Sequence, residues 1–280
     1  MSKILVTGGA GFIGSHTCVE LLNAGYEIVV LDNFSNSKPE ALNRIKKITG
    51  KEFSFYEADL LNLADVEKVF EENEIDAVIH FAGLKAVGES VRKPVEYYHN
   101  NITGTLMLIT AMRKYNCKKI VFPQTPSDMA KFHNNGSVIP CDAVRHFPLT
   151  GDHAIYTIAK NAAVDLMEHF RAEYGIKFFA LRFFTIYQYH PNAYHYCDFK
   201  RRMMPFRMLM DRASKSLPIE LWGDYKKAKE MVYVKDFVRL VQACIESDKD
   251  GGCYNLGNGW QVSLEDQIKG IIEVFSPMDN

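Results

Sequence analysis

The chain has 280 residues, 47% of them hydrophobic, and a formal net charge of −1 at pH 7. A chain of this length can bury a large core and form one large or two small domains. The near-zero charge excludes a general electrostatic attraction to nucleic acid or to an anionic membrane, so neither is an expected partner.

Cysteine usage and the beginning of the sequence indicate the compartment. The six cysteines form no C-x-x-C pair and no dense framework, which fits a reducing compartment better than secretion. The first residues lack a charged segment followed by a long apolar one, so no signal peptide is expected. No apolar run approaches the roughly 20 residues of a membrane-spanning helix. We therefore expect a cytoplasmic protein.

Strand-like and helix-like segments alternate through the first half of the chain. Near-continuous apolar strands separated by helices indicate a parallel sheet covered on both faces, so we predict an α/β Rossmann-type doubly wound sheet. The predicted strands are 4–6, 28–31, 53–56, 77–81, 120–122 and 177–184, and the predicted helices are 12–22, 39–47, 62–72, 94–115 and 155–173.

The character of the sequence changes after residue 184, where aromatic residues, His and Pro become frequent. We therefore predict a Rossmann domain over 1–184 and a smaller substrate lobe over 185–280, with 231–258 returning to the main sheet. Within the lobe we expect helices over 199–214 and 235–246, short elements at 219–222, 231–234 and 263–275, and a glycine-rich turn after residue 246.

The sequence GGAGFIG at residues 8–14 lies between the first predicted strand and the first predicted helix. A strand, a glycine turn and a helix in that order form a site for a dinucleotide pyrophosphate. Glycines let the backbone turn sharply and approach the phosphates. The start of the helix supplies free N–H groups and a partial positive charge.

Two aspartates follow the second and third predicted strands. Asp32 is placed to accept hydrogen bonds from the ribose hydroxyls of the adenosine half, and it would repel a 2′-phosphate, which favours NAD over NADP. The alternative is a turn-forming Asp before Asn33. Asp59 is placed either to bind the adenine amino group or to cap a helix that begins near Asn62. Small residues after the fourth strand, Ala82 and Gly83, would let the cofactor cross the sheet edge.

Tyr156 and Lys160 are four residues apart on a predicted helix, so their side chains share one face. An ammonium group beside a phenol lowers the phenol pKa, which prepares the tyrosine to remove or return a hydroxyl proton. The alternative is an ordinary surface pair, because this spacing occurs in many helices. Its position after a dinucleotide-binding motif favours the catalytic interpretation.

These motifs resemble those of the extended short-chain dehydrogenases/reductases, and most closely those of the UDP-glucose 4-epimerases. The match is close through residue 122, and the segment around Lys85 is its most specific part. The resemblance implies NAD as the cofactor and epimerisation of a nucleotide sugar, first UDP-glucose or UDP-galactose, by reversible hydride transfer through a 4-keto sugar. The matching segments are 7–14, 31–37, 81–90 and 94–101.

The same resemblance implies site residues and an assembly. Tyr156 would be the general base and Lys160 its electrostatic partner. The helices at 94–115 and 155–173 would pair in a homodimer, although their apolar content also suits packing within one subunit. The implied cofactor contacts are Gly8, Gly11, Phe12, Ile13, Gly14, Asp32, Asn33, Asn36, Asp59, Leu60, Phe81, Ala82, Gly83, Lys85, Asn100, Tyr156, Lys160 and Phe184.

After residue 122 the resemblance is to the wider family only. The serine-rich run of the epimerases is replaced by a segment in which Thr125 stands at the position of the third catalytic hydroxyl. A threonine keeps an O–H that can move a proton to the substrate oxygen, so we predict a catalytic role, with a turn residue as the alternative. The neighbouring Pro123 lacks a backbone donor.

The predicted substrate contacts also differ from the epimerase pattern. Thr185 stands where the epimerases have an Asn that contacts the sugar diphosphate. Lys229 stands where they have an arginine, and lysine keeps the charge but loses the bidentate grip on phosphate. The chain also ends earlier than typical epimerases, so we expect a truncated chain, a reduced substrate site or a recombined second half.

Other functions remain open from the sequence. A 4,6-dehydratase or reductase of the same family is one alternative, although the acid pair that dehydratases carry after Thr125 is missing. An NAD-binding protein without turnover is another. The His- and aromatic-rich stretch 190–198, and Cys141 with His146 and His153, fit no standard ligand or nucleophile pattern, so no metal site is expected.

Overall fold

The computed structural model describes residues 2–133, 139–140, 143–188, 194–197, 200–221 and 223–277. The chain divides into two compact units. The larger unit comprises Met1–Ile186 and Tyr233–Leu256, and the smaller unit comprises Tyr187–Val232 and Gly257–Asn280.

The strands and helices follow each other in the order expected for an α/β protein. The strands are β1 (Lys3–Thr7), β2 (Glu27–Asp32), β3 (Ser54–Glu57), β4 (Ala77–His80), β5 (Lys119–Gln124), β6 (Lys177–Phe183), β7 (Thr185–Tyr187), β8 (Tyr194–Cys197), β9 (Lys200–Met203), β10 (Ala228–Tyr233), β11 (Gly251–Leu256) and β12 (Gln261–Ser263). The α-helices are α1 (Phe12–Asn23), α2 (Glu40–Thr49), α3 (Leu63–Glu72), α4 (Val87–Ser90), α5 (Pro94–Tyr98), α6 (Gly104–Lys114), α7 (Ala130–His133), α8 (Ala154–Tyr174), α9 (Pro205–Ser214), α10 (Val234–Glu246) and α11 (Leu264–Phe275).

The larger unit is built on a seven-stranded sheet in the order β11-β6-β5-β4-β1-β2-β3. Every neighbouring pair in this sheet is parallel. The chain runs outward from β1 through β2 to β3 and then returns to β4 on the other side of β1. The predicted doubly wound fold is thereby confirmed, and the reversal beside β1 opens a crevice at the carboxyl edge, where such sheets bind ligands.

The apolar strand sequences form the centre of the core. Leu5, Val29, Val78, Ile120 and Phe178, from five neighbouring strands, are all buried and belong to one hydrophobic cluster. Side chains on both faces of these strands are buried because helices cover both faces of a parallel sheet. This explains why the strands have nearly continuous apolar sequences rather than alternating ones.

The structure corrects three of the predicted elements. The predicted helix 94–115 is interrupted by a π-helical turn at His99–Thr103. The predicted helix 199–214 is strand β9 followed by α9, because Pro205 is fixed in a helical backbone angle and begins the helix there. The glycine-rich turn after residue 246 contains β11, which extends the main sheet beside β6.

The smaller unit contains two antiparallel strand pairs and two of the helices. β8 pairs with β9, and β10 pairs with β12, where Lys229 lies opposite Val262. The helix α11 packs against α9, and its N-cap is Ser263, whose Oγ accepts a hydrogen bond of 3.0 Å from the N–H of Asp266. The described residues of the predicted element 219–222 form no strand.

A buried histidine lies at the carboxyl end of β4. The ring nitrogens of His80 are 2.8 Å from Thr7 Oγ1 and 3.0 Å from Thr105 Oγ1. Burial, and to a smaller extent the charge of Lys160, lower the pKa of His80 from 6.5 to about 3. This histidine is therefore neutral in the folded protein at neutral and mildly acidic pH.

Acid should destabilise the protein through His80. The unfolded chain takes up a proton near pH 6.5, whereas the folded protein does so only near pH 3, so the free energy of unfolding falls as the pH drops below 6.5. The loss from this residue is at most about 1.4 kcal/mol per pH unit. Urea unfolding at several pH values between about 5 and 7 should show a weaker pH dependence for His80→Gln than for the wild type. Equal dependences would contradict this assignment.

Candidate active site

The glycine turn after β1 contacts the beginning of the loop after β4. Gly8 has φ +70°, and a Cβ at this position would lie 2.7 Å from the backbone nitrogen of Ala82. The N–H of Gly8 donates to the carbonyl of Leu31 at 2.8 Å, and the N–H of Gly11 donates to the carbonyl of Gly8 at 3.0 Å. The turn is therefore fixed between β2 and β4, at the point where the sheet order reverses.

Helix α1 begins directly on this turn. A Cβ at Gly14 would lie 2.2 Å from the carbonyl oxygen of Gly8, so the close approach of helix and turn requires glycine. The first turn of the helix contains no acidic residue. The partial positive charge of the helix start is therefore available to an anionic ligand such as a pyrophosphate.

Asp32 ends β2 and is 6% exposed. Its Oδ2 accepts the N–H of Ala10 at 3.0 Å, and its Oδ1 accepts the N–H of Phe34 at 2.9 Å and the hydroxyl of Ser37 at 2.7 Å. A carboxylate offers about four acceptor positions, so this one can still accept a ribose hydroxyl. Its role in the turn and a role in binding ribose are compatible.

Asp59 follows β3 and does not cap the next helix. Its carboxylate accepts hydrogen bonds of 2.9 Å from Asn33 Nδ2 and from the N–H of Leu61. The cap of α3 is Asn62, which accepts from the N–H of Ala64 at 3.2 Å. The predicted capping role of Asp59 is therefore wrong, because the helix begins one turn later than that role requires. The carboxylate instead joins the loops after β2 and β3.

The loop after β4, which carries Lys85, is held by side chains of the following helical segment. Asn101 Oδ1 accepts the N–H of Leu84 at 2.8 Å, and Asn101 Nδ2 donates to the carbonyl of Leu84 at 2.9 Å. The hydroxyl of Tyr97 accepts the N–H of Ala86 at 3.1 Å. These contacts fix the backbone on both sides of Lys85, whose side chain is exposed.

Tyr156 and Lys160 lie one turn apart on α8. Lys160 is 8% exposed, and its Nζ donates to the carbonyl of Pro123 at 3.1 Å and lies 4.2 Å from the centre of the Phe122 ring. Burial lowers the pKa of Lys160 to about 7 and raises the pKa of Tyr156 to about 12. Burial therefore determines the pKa of Tyr156, and the amine of Lys160, which is directed at Pro123, does not lower it as the sequence predicted.

Thr125 lies directly after β5 and is 6% exposed. Its Oγ1 accepts the N–H of Ser127 at 3.2 Å and caps the short 3₁₀ helix Pro126–Asp128. The alternative role in a turn is therefore confirmed. A hydroxyl that accepts one hydrogen bond can still donate another, so the predicted role in proton transfer is compatible with this geometry.

The other predicted contacts lie at different places. Leu60 is buried and Asn36 is exposed, both near the ends of β2 and β3. Thr185 begins β7 and is partly buried, and Lys229 is exposed on β10 of the smaller unit. The partly exposed or exposed positions along the carboxyl edge of the larger unit are Gly11, Phe12, Ile13, Asn33, Phe81, Ala82, Gly83, Asn100 and Phe184.

No group of three or more His, Cys, Asp or Glu in the described part of the chain could hold a metal ion. The candidate nucleophile Cys141 and most of the stretch 190–198 lie outside the described residues. Within those same described ranges, no helix has the length and apolar character needed to cross a membrane.

Sequence reasoning missed the residues that hold the loops of the site. Asn101 and Tyr97 act on backbone 17 and 11 residues away, and Arg182 reaches Asp128 over 54 residues. No local motif gives such contacts. The only available signal was the placement of polar residues on otherwise apolar elements, such as Arg182 at the end of a predicted strand.

The buried amine of Lys160 opposes the stability of the fold. Replacing it by Met should leave the free energy of unfolding at pH 7 unchanged or raise it, because a buried amine is removed. The folded-state pKa of about 7 lies below the ordinary value of 10.5, so wild-type stability should rise with pH in this window. The Met variant should lack this rise, and urea unfolding of both proteins measures it. A Lys160→Met variant that is less stable than the wild type and has the same pH dependence would contradict the claim that the buried amine opposes stability.

The comparisons with known proteins agree with this geometry. A family model described as "NAD dependent epimerase/dehydratase family" matches residues 4–257. The UDP-glucose 4-epimerase of Bacillus subtilis is 42% identical, over 97% of this chain and 81% of its own length. The enzyme of the same name from Haemophilus influenzae is 39% identical, over 95% of this chain and 80% of its own.

Solved structures give the same result. The UDP-glucose 4-epimerase of Thermotoga maritima with UDP-glucose superposes with a TM-score of 0.82 at 28% identity and covers 99% of this chain and 84% of that one. The enzyme from Bifidobacterium longum in complex with NAD+ and UDP has a TM-score of 0.77 at 34% identity and covers 96% and 82% of the two chains.

Proposed function

Since this chain belongs to the NAD dependent epimerase/dehydratase family, we propose that it is an isomerase that interconverts UDP-glucose and UDP-galactose at C4. The observation that carries the proposal is the position of Thr125, Tyr156 and Lys160. The hydroxyl of Thr125 and the amine of Lys160 both lie at the end of β5, on the edge of the sheet that also carries the glycine turn.

The residues present fit NAD. The turn over 8–14 leaves no room for a Cβ at Gly8 or Gly14 and ends in a helix start without acidic residues, as a pyrophosphate site requires. Asp32 retains acceptor capacity for the adenosine ribose and would repel a 2′-phosphate. When bound, NAD supplies an oxidant that removes the C4 hydrogen with its electron pair and returns it.

Tyr156 is proposed to take the proton of the sugar 4-hydroxyl and later to return it. A phenol with a pKa of about 12 is a weak acid, so its phenolate needs a positive charge nearby. Lys160, with a pKa of about 7, is protonated in a large fraction of molecules at neutral pH. Lys160, one helical turn from Tyr156 on α8, is proposed to supply that charge.

Thr125 is proposed to donate a hydrogen bond to the same sugar oxygen. Its hydroxyl accepts from the backbone of Ser127, which holds the oxygen in place and leaves the hydrogen for the substrate. A donor fixed in advance stabilises charge that develops on the sugar oxygen without reorganising during the reaction. Two further residues are proposed to contact the cofactor. They are Lys85, in the loop whose backbone Asn101 holds by hydrogen bonds, and Asn100, which precedes Asn101.

A dehydratase is less well supported than an epimerase. The acidic residue nearest in sequence to Thr125 is Asp128, which is fully buried and paired with Arg182. Its carboxylate is engaged in two hydrogen bonds from the Arg182 guanidinium. The described residues directly after Thr125 therefore include no exposed acid for the elimination of water.

We also propose a cytoplasmic homodimer in which α5–α6 and α8 of two subunits pair. Size-exclusion chromatography with light scattering should give a molar mass of about twice the 31.9 kDa of one chain. A monomer at micromolar concentration would contradict the assembly but not the activity.

The direct test of the activity is incubation of the purified protein, supplied with NAD, with UDP-galactose. UDP-glucose should accumulate up to an equilibrium mixture that is the same from either sugar. UDP-N-acetylgalactosamine and a dTDP-hexose in parallel assays define the range of substrates. Absence of turnover on all of them, in a protein that binds NAD, would instead favour a binding protein without catalysis.

A further inference from the structure

We propose that Asp128 and Arg182 form a positioning pair that orients the hydroxyl of Thr125. This inference rests on the proposed function, in which Thr125 contacts the sugar oxygen. Neither member of the pair is proposed to touch substrate or cofactor. Both belong to the larger unit, Asp128 in the loop after β5 and Arg182 on the neighbouring strand β6.

The pair is buried and bidentate. Asp128 is fully buried and Arg182 is 6% exposed. Arg182 Nε donates to Asp128 Oδ1 at 2.9 Å, and Arg182 Nη2 donates to Asp128 Oδ2 at 2.8 Å. Two parallel charge-assisted hydrogen bonds fix the orientation of the guanidinium plane relative to the carboxylate plane. A single hydrogen bond would not do so.

The pair connects β11 to Thr125 through a series of side chains. Arg182 Nη1 donates to Asn255 Oδ1 on β11 at 2.6 Å. On the other side, Gln124 Nε2 donates to Asp128 Oδ2 at 3.2 Å, and Gln124 Oε1 accepts the N–H of Thr125 at 3.0 Å. The backbone of Thr125 is thus held by an amide that the ion pair orients.

The prolines around Thr125 explain why side chains must hold it. Pro123 and Pro126 have no N–H, so the backbone on either side of Thr125 has fewer donors for the sheet or the following helix. The amide of Thr125 bonds to a side chain, and the carbonyl of Asp128 accepts the N–H of His146 at 2.8 Å. The orientation of the loop therefore depends on the network around Asp128.

Stability alone does not account for this pair. Burying two charges costs desolvation energy, and apolar pairs of similar volume are often equally or more stabilising. The pair does, however, impose a unique geometry on the loop. This contrast separates a positioning role from a structural one, since an apolar pair would restore stability without restoring orientation.

The first test is Asp128→Asn, which keeps the shape and removes the charge. The kcat for UDP-galactose should fall roughly tenfold to a hundredfold, while KM and the affinity for NAD stay within about twofold. In a Thr125→Val background, Asp128→Asn should cause almost no further loss, because it acts through Thr125. The control is Asp165→Asn. It removes the charge of a carboxylate that pairs with Arg145 and is more exposed than Asp128, and it should leave kcat unchanged. If the losses of kcat in Asp128→Asn and Thr125→Val multiplied in the double variant, Asp128 would act independently of Thr125. That result would overturn the proposal.

The second test is the double variant Asp128→Val with Arg182→Met, which remains informative if Asp128→Asn folds poorly. Its resistance to urea should equal or exceed that of the wild type, while kcat stays low. Recovery of kcat together with stability would show that the pair has only a structural role and would overturn the proposal.

The third test does not need turnover. Amide hydrogen exchange over residues 122–130 should be faster in Asp128→Asn than in the wild type or in Asp165→Asn, with α1 unchanged. Unchanged exchange over 122–130 would overturn the positioning role. If the wild type shows no epimerisation, the proposed function fails, and the exchange result still decides whether the pair holds the loop.

Discussion

Tyr156→Phe should lower kcat for the conversion of UDP-galactose by about a thousandfold while NAD remains bound. The substitution removes only the hydroxyl that is proposed to exchange a proton with the sugar. The ring stays in its place on α8, so the fold and the cofactor site should be preserved. Initial rates with saturating UDP-galactose give kcat, and the NAD released from denatured protein gives the cofactor content.

Thr157→Val is the matched control on the neighbouring residue. Thr157 is 1% exposed, and its Oγ1 is the one buried side-chain polar atom within the described residues that has no hydrogen-bond partner. Its removal should leave kcat within about twofold and leave stability unchanged or raise it by about 1 kcal/mol. If Tyr156→Phe retained most of its activity, or if Thr157→Val lost as much, Tyr156 would not be the proton-transfer residue.

Gly14→Ala should have the largest effect on cofactor binding. Helix propensity alone predicts a gain of about 1 kcal/mol from Ala in a helix. The added Cβ, however, would lie 2.2 Å from the carbonyl oxygen of Gly8 and 2.8 Å from Gly9 Cα, so helix and turn must separate. We expect a net loss of about 2 kcal/mol of stability or more and at least a roughly tenfold loss of NAD affinity.

Gly270→Ala provides the control for propensity. Gly270 lies within α11, and no heavy atom beyond its two chain neighbours and the adjacent backbone of the helix lies within 4 Å of a Cβ added there. The substitution should raise the free energy of unfolding by about 0.5–1 kcal/mol without changing NAD affinity. Urea unfolding and a titration with NAD measure both effects. Equal gains in stability at Gly14 and Gly270 would show that the close contact at Gly14 does not constrain the turn.

Five of the first six strands, β1, β2, β4, β5 and β6, were predictable because their apolar runs are nearly continuous, a pattern that follows from burial on both faces. The return of 231–258 to the main sheet was expected, but the strand β11 itself was not, because Gly251 and Gly252 are typical of a turn and the strand conformation depends on pairing with β6. The π-helical turn at His99–Thr103 was also hidden, since its residues fit a regular helix equally well. For β11, pairing with a distant strand outweighs the local preference.

The candidate site likewise contains residues that the sequence indicates and residues that only the folded structure brings together. The glycine turn, Asp32, Tyr156 and Lys160 could be proposed as site residues from the sequence because their spacing, after predicted strands or on one predicted helix, carries the information. The ionisation of Tyr156 could not be predicted, since the sequence places an amine nearby but does not give the burial that raises its pKa to about 12. The Asp128–Arg182 pair was likewise out of reach, because its members lie on elements that only the folded sheet brings together.

The most direct test of NAD-dependent epimerisation uses UDP-galactose that carries deuterium at C4. UDP-glucose formed by the purified protein should keep this deuterium at C4, because the hydrogen leaves and returns with its electron pair within one turnover. Mass spectrometry and proton NMR of the product measure the label. Replacement of the deuterium by solvent hydrogen during turnover would contradict the account, and so would a product in which C4 is not inverted.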